Sequence, residues 1–230
     1  IEGVANPEDV KLTILSPKRH SLEKLREQAH LRVRTNTGAA VMRLRSKLSF
    51  AVHKYFQDNG FYYVNTPIIT GSDAEGAGEM FKVTNFDLKN PPKNEDGSID
   101  YKKDFFGKET NLTVSGQLEG ETYALGLGQI YTFGPTFRAE NSNTSRHLAE
   151  FWMIEPEVAY MDLDGDMELA EDFVSYVVQR VLENRKEELD YLERDITALE
   201  RVVKPFPRIS YTEAVERLHK EGVEHEWGSD

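Results

Sequence analysis

The chain has 230 residues, 39% of them hydrophobic and 30% charged, which is enough for one sizeable core and a small appendage. No apolar run approaches the roughly 20 residues that span a bilayer, and there is no cysteine, so disulfides, thiolate zinc sites and thiol nucleophiles are all excluded. The net charge of −12 is uneven: Lys11 to Lys47 carries ten basic residues against two acids, a net of +8 that leaves −20 elsewhere.

Such a basic stretch on an acidic body is either a phosphate-facing surface or a solvated face that neutralises itself. The first residues, Ile1-Glu2-Gly3-Val4, show neither the basic nor the apolar part of a leader, and a cytoplasmic protein is expected.

Along the chain, Val10-Lys11-Leu12-Thr13-Ile14-Leu15 has the β-branched pattern of a strand closed by Ser16-Pro17. A single strand forms no sheet, so this run is expected to finish a unit that begins earlier. Residues 18–37 are basic and polar, a linker with some helix. From Gly38 to Asn59 the residues Val41, Leu44, Leu48, Val52 and Tyr55 recur at three- and four-residue spacing, and Gly60 follows as a stop, which predicts an amphipathic helix. Phe61 to Ile69 is aromatic and β-branched, hence extended, with Pro67 favouring an edge or interface. A loop with three glycines, Gly71 to Glu79, comes next.

Residues 88–108 are hydrophilic and turn-rich, an insertion on the surface. Asn111–Ser115, Gln129–Phe133 and Glu150–Tyr160 suit strands, and a long helix is expected from about Asp166 to Leu192. The connections between strands are too short for helical crossovers, so the expected fold is α+β, an antiparallel β-sheet flanked by helices.

The densest chemistry lies between the last two predicted strands. Phe137-Arg138-Ala139-Glu140 and Arg146-His147-Leu148-Ala149-Glu150-Phe151 flank a polar loop, which holds two arginines about one loop apart. A guanidinium offers a rigid fork of donors matched to phosphate oxygens, and an aromatic at the strand entry can stack on a base. On spacing alone the plainer reading is favoured, in which Arg138 and Glu140, two apart on one strand face, neutralise each other.

The helix that ends at Gly60, the aromatic strand and Pro67 together resemble motif 1 of the class II aminoacyl-tRNA synthetases, and Phe137-Arg-Ala-Glu with Arg146 and Phe151 resembles their motif 2. From about Arg19 to Tyr160 the chain is similar to the asparaginyl branch, through Ser72-Asp-Ala-Glu-Gly-Ala-Gly-Glu-Met-Phe81, Leu112-Thr-Val-Ser-Gly-Gln-Leu118 and Tyr131 to Phe151. The resemblance implies ATP-dependent joining of asparagine to tRNA(Asn) by a class II catalytic core.

It further implies that Arg138 holds the ATP α-phosphate and stabilises the charge that develops there, that Arg146 holds the γ-phosphate, that Phe151 stacks on the adenine, and that Glu140 and His147 lie at the nucleotide. Glu75, Ser115, Gln117 and Glu155 would bind the amino acid, Gly60 and Pro67 would belong to a homodimer interface, and Mg²⁺ would accompany ATP without an assignable ligand set. The related aspartyl enzymes carry a lysine three residues after the strand-motif glutamine, where this chain has Gly120, which favours a neutral amide over a carboxylate.

The same resemblance implies an organisation: residues 1–17 as the last strand of an OB-like anticodon-binding domain, 18–37 as the hinge, and 38–230 as a partial catalytic domain. The third class II motif, with its ATP-clamping arginine, does not occur after Tyr160. Two readings follow: a portion of an asparagine–tRNA ligase, or a catalytically weak dimerising or tRNA-binding module. An aspartate-specific or asparagine-forming relative is a further alternative.

Overall fold

The computed structural model describes residues 6, 8, 15–74, 76, 78–141, 144 and 147–228. Most of the expected first strand, Val10–Ile14, lies outside them. The chain divides into two units, residues 52–163 and a second made of 1–51 with 164–230, and the division falls within the long motif 1 helix.

The 52–163 unit holds the sheet. Helix α3, Asn36–Asp58, enters it with a face of Val52, Tyr55 and Phe56, all less than 10% exposed. It ends in a Schellman turn: Phe61 N–H donates to Phe56 O (2.9 Å) and Gly60 N–H to Gln57 O (3.1 Å), with Gly60 at φ +81°. The left-handed backbone there is what glycine supplies without a Cβ penalty. The chain then leaves as β1, Tyr62–Tyr63.

Strand β1 pairs in parallel with β4, Gln129–Phe137, at Tyr62 opposite Ile130 and Tyr63 opposite Tyr131. Strands β4 and β5, Glu150–Val158, pair antiparallel over nine positions, with Thr132 opposite Glu155 and Phe137 opposite Glu150. A second, two-stranded antiparallel sheet joins β2, Ile69–Thr70, to β3, Asn111–Leu112. The α+β class holds, and the β4–β5 hairpin is antiparallel as expected. The main sheet is mixed because β1 and β4 are separated by the whole of residues 64–128, room enough for the crossover a parallel pair requires.

That crossover contains a helix the sequence pattern did not announce: α4, Gln117–Leu127. Its glycines at 120 and 126 suppress helix propensity, yet Gly120 and Ala124 are its buried positions, where small side chains admit close approach to the sheet. Gln117 is therefore the first residue of a helix and not part of the preceding extended segment.

Alternation along β4 sends neighbouring residues to opposite faces. Ile130 packs with Ala124 and Val64 on the α4 side. Tyr131, fully buried, stacks on Phe56 at 4.5 Å between ring centroids on the α3 side, where His53 meets Tyr63 and Phe133 edge-on. The hydrophilic stretch 88–108 is a surface excursion with a turn at Asp96-Gly97 and a short 3₁₀ turn at Tyr101–Lys103, as expected.

The other unit is helical. Helices α1, Leu22–Glu27, and α2, Ala29–Arg32, occupy the expected linker and bury Leu25 and Leu31. The expected long C-terminal helix is two helices, α5, Leu163–Asn184, and α6, Lys186–Tyr191, interrupted at Arg185. Two short helices follow, α7, Thr197–Glu200, and α8, Tyr211–Lys220, the latter opened by a capping box of Ser210 and Glu213. Arg43 Nε donates to buried Glu188 at 2.7 Å within this unit. No helix among the described residues is long and apolar enough to cross a membrane.

Candidate active site

Two constellations of the expected site residues form within the 52–163 unit. The first surrounds Glu155, on β5 and buried. Its register opposite Thr132 places both side chains on one face, and Thr132 Oγ1 donates to Glu155 Oε2 at 2.8 Å. The Gly116 N–H donates to both carboxylate oxygens, at 3.2 and 3.1 Å, and the Ser115 hydroxyl makes a short hydrogen bond to Oε1. Three donors thus hold this carboxylate through four hydrogen bonds, two on each oxygen, which occupy its four lone-pair sites.

The cradle is close-fitting. A Cβ on Gly116 would stand 2.9 Å from both Thr132 Oγ1 and Thr66 Oγ1 and 3.0 Å from Glu155 Oε2, so the backbone amide reaches the carboxylate because there is no side chain. Gln117 joins through its backbone N–H, which donates to Ser115 Oγ at 3.0 Å. Its side chain turns along α4 instead, donating to Glu121 at 3.0 Å. A recess of about 220 Å³ opens beside the cradle, between the 63–68 segment and β4, with Thr66, Gly116, Thr132, Trp152 and Glu155 among its lining.

The second constellation lies at the loop end of the β4–β5 hairpin. Arg138 follows β4 and Phe151 lies in β5, and the guanidinium carbon stands over the ring at 5.5 Å from its centroid. Arg138 N–H donates to Ala149 O at 3.1 Å, which fixes the arginine's backbone across the hairpin. Its Nε is buried and has no hydrogen-bond partner among the described residues. A buried guanidinium N–H without an acceptor is costly, so this group is suited to meeting an anionic oxygen brought by a ligand.

The glycine-rich loop is tied to this end. Ala139 N–H donates to Glu79 O at 2.8 Å, and Glu79 N–H donates to Glu140 Oε1 at 3.1 Å. His147 is exposed and makes a short contact with Thr144 Oγ1. Glu75 and Arg146, both expected at the site, lie outside the described residues.

The structure therefore brings Ser115 and Glu155 together in one constellation, with Gln117 joining by its backbone alone, and Arg138, Glu140 and Phe151 in another. Lining residues of the recess include Glu155 and none of Arg138, Glu140 or Phe151. Sequence reasoning missed Thr132, Gly116 and Glu79. Thr132 was findable once the hairpin register was known, since it faces Glu155; Gly116 owes its place to its missing Cβ, and Glu79 acts through backbone groups, which leave no mark in residue type.

No group of three or more histidines and acids capable of holding a metal ion stands together among the described residues. Mg²⁺ is held by one or two carboxylates together with substrate phosphates, so no ligand set is assigned among these residues and no step to the ion.

A family model for tRNA synthetases class II (D, K and N) matches residues 21–229. The asparagine–tRNA ligase of Acetivibrio thermocellus is 57% identical over 100% of this chain and 51% of its own length, and that of Desulfitobacterium hafniense is 59% identical over 94% and 49%. Among solved structures, asparaginyl-tRNA synthetase from Pyrococcus horikoshii complexed with asparaginyl-adenylate aligns with a TM-score of 0.78 at 37% identity, covering 94% of this chain and 45% of that one. The chain spans about half the length of the relatives it matches. With motifs 1 and 2 in the family's order on a fold that matches it, and a family model covering nearly every residue after the first twenty, the chain belongs to the class II tRNA synthetases of the D, K and N group.

Proposed function

We propose that this chain is the part of an asparagine–tRNA ligase that activates asparagine with ATP and presents the adenylate to tRNA(Asn). The observation that carries the proposal is Arg138: a guanidinium over Phe151, with a buried Nε that has no acceptor among the described residues, at the position where the motif requires a phosphate ligand. Relatives at 57–59% identity that bear the name asparagine–tRNA ligase support the same reading.

The chemistry needs little covalent help. The asparagine carboxylate is ionised at neutral pH and attacks the α-phosphorus, pyrophosphate leaves, and the residues' work is to hold the partners in line and offset charge on the phosphoryl oxygens. Arg138 supplies that charge, with Phe151 under the adenine and Arg146 toward the γ-phosphate. Glu75, Ser115, Gln117 and Glu155 form the amino-acid side, where carboxylates suit the substrate ammonium. The three protein donors already on Glu155 favour a role as the fixed wall of that pocket.

Asparagine is favoured over aspartate by Gly120. It is buried, and a Cβ there would stand 3.4 Å from Glu157 Cγ and from Ile130 Cδ1, so the position offers no cation to a substrate carboxylate. A homodimer through motif 1 is part of the proposal, and exposed Tyr62, Pro67 and Ile68 agree with it. So is a cytoplasmic location, and so is the assignment of residues 1–17 and 18–37 to an anticodon-binding domain's last strand and hinge.

The test is asparagine-dependent ATP–pyrophosphate exchange by the full-length protein that carries these residues. Exchange faster with asparagine than with aspartate, and abolished in Arg138→Ala, is expected; a preference for aspartate overturns the substrate, and exchange unaffected by Arg138→Ala overturns the site.

A further inference from the structure

Glu140 faces the glycine-rich loop. Its Oε1 accepts the Glu79 N–H at 3.1 Å while the Glu79 carbonyl accepts Ala139 N–H at 2.8 Å, so the backbone of Glu79 is held by both hydrogen-bonding groups against the residues that flank Arg138 in sequence. Gly78 closes the arrangement. A Cβ placed on it would lie 2.5 Å from Glu140 Oε1 and 3.2 and 3.3 Å from Arg138 Cδ and Cγ. The arginine stem therefore passes close to the bare Cα of Gly78, and its guanidinium lies over the Phe151 ring. Arg138 thus meets two surfaces along its length, a glycine backbone held by Glu140 at the stem and an aromatic face from β5 at the head.

We propose that Gly78, Glu79 and Glu140 form a clasp that positions Arg138, so that Glu140 serves the reaction through the backbone of the glycine-rich loop. This rests on the reading of Arg138 as the phosphate ligand. An arginine loses much rotamer freedom when held, and one whose stem lies against a backbone and whose head lies over a ring has already lost it before substrate arrives. Displacement of a charge-stabilising group by about 1 Å is enough to cost on the order of 100-fold in rate.

The clasp makes Glu140 a positioning residue with a recognisable signature. It needs an acceptor oxygen and not a charge, so Glu140→Gln retains function while Glu140→Ala does not. Because Gly78 and Glu140 act on the same contact, their losses do not multiply.

The experiment uses the full-length protein. Asparagine-dependent ATP–pyrophosphate exchange is measured for Glu140→Ala, Glu140→Gln, Gly78→Ala and the double variant Gly78→Ala/Glu140→Ala. Amide hydrogen exchange of the peptide spanning residues 78–81 is followed in parallel. The expected result is a fall in kcat of about 10- to 100-fold for each alanine variant with an unchanged KM for asparagine, near-normal kcat for Glu140→Gln, and a double variant no worse than the poorer single one. The Glu79 amide should exchange faster in Glu140→Ala. Equal damage from Gln and Ala at 140, multiplying losses in the double variant, or an unchanged exchange rate at Glu79 each overturns the clasp. A protein without any asparagine-dependent exchange overturns the functional reading, and the hydrogen-exchange arm then decides the clasp alone.

Discussion

The guanidinium of Arg138 and the ring of Phe151 face each other at the loop end of one hairpin, 5.5 Å from carbon to centroid. A cation over an aromatic face contributes about 0.5–2 kcal/mol, according to how far it is desolvated. The pair therefore preorganises the arginine as well as offering a surface for a base. Phe151→Leu keeps the volume and removes the π face; it should raise KM for ATP about 10-fold and leave the fold intact. Arg138→Lys should lose on the order of 10²-fold in kcat, because an ammonium cannot reproduce the fork geometry. Steady-state exchange kinetics read both, and a Lys variant with wild-type kcat would show that charge alone suffices.

Glu155 depends on a backbone amide that a side chain would block. In Gly116→Ala the new methyl must displace Thr132 Oγ1, Thr66 Oγ1 or the Glu155 carboxylate, each within 3.0 Å. Gly116 sits at φ −85°, where alanine has no intrinsic strain, so the cost is one of overpacking, about 1–3 kcal/mol. Thr132→Val, which removes one donor from the buried carboxylate, should cost about 1–3 kcal/mol. Urea denaturation measures both, and a Gly116→Ala variant as stable as the parent would mean that the cradle yields freely.

These two constellations show what the sequence displayed and what it concealed. The helix through residues 36–58 and the β4–β5 hairpin were legible because their apolar periods are long and unbroken. Arg138, Phe151 and Ser115 were singled out through the family resemblance, since spacing alone left Arg138 paired with Glu140. Helix α4 was not, since Gly120 and Gly126 lower its intrinsic propensity while close packing on β4 sustains it. The parallel pairing of β1 with β4 was hidden because it depends on what 64 to 128 does as a whole. Glu79 was hidden for a different reason: hydrogen bonds from backbone groups are open to any residue type.

Tyr131 anchors the α3 face of the sheet. It is fully buried, stacks on Phe56 with an interplanar angle of 17°, and its hydroxyl meets His53 Nδ1 at 2.7 Å and accepts from Gln57 Nε2 at 3.4 Å. Burial raises its pKa above the usual 10.0. Phe56→Ala should destabilise by about 3–5 kcal/mol through cavity formation. Tyr131→Phe keeps the ring and should cost about 1 kcal/mol for the lost hydroxyl partnerships. Thermal unfolding of the two variants gives the comparison, and equal losses would mean that the hydroxyl matters as much as a whole phenyl ring.

The pairing of Arg43 with Glu188 carries a pH signature. Glu188 is buried, and the hydrogen bond from Arg43 Nε is the largest influence on it, holding its carboxyl below the usual 4.5 against the opposing effect of burial. An unfolded chain binds this proton at higher pH than the folded one. The stabilisation is therefore fully present above about pH 4.5 and is lost as pH falls through the lower folded value. Arg43→Met removes the donor while retaining an unbranched apolar stem, so the carboxyl loses its hydrogen-bonded cation and keeps only the charge of Arg185. The variant should be less stable at pH 7, and its urea midpoint should change less with acidification below pH 4.5 than that of the parent. Midpoints measured at intervals from pH 7 to pH 3 decide the matter: parallel curves for parent and variant would show that Glu188 titrates without reference to Arg43.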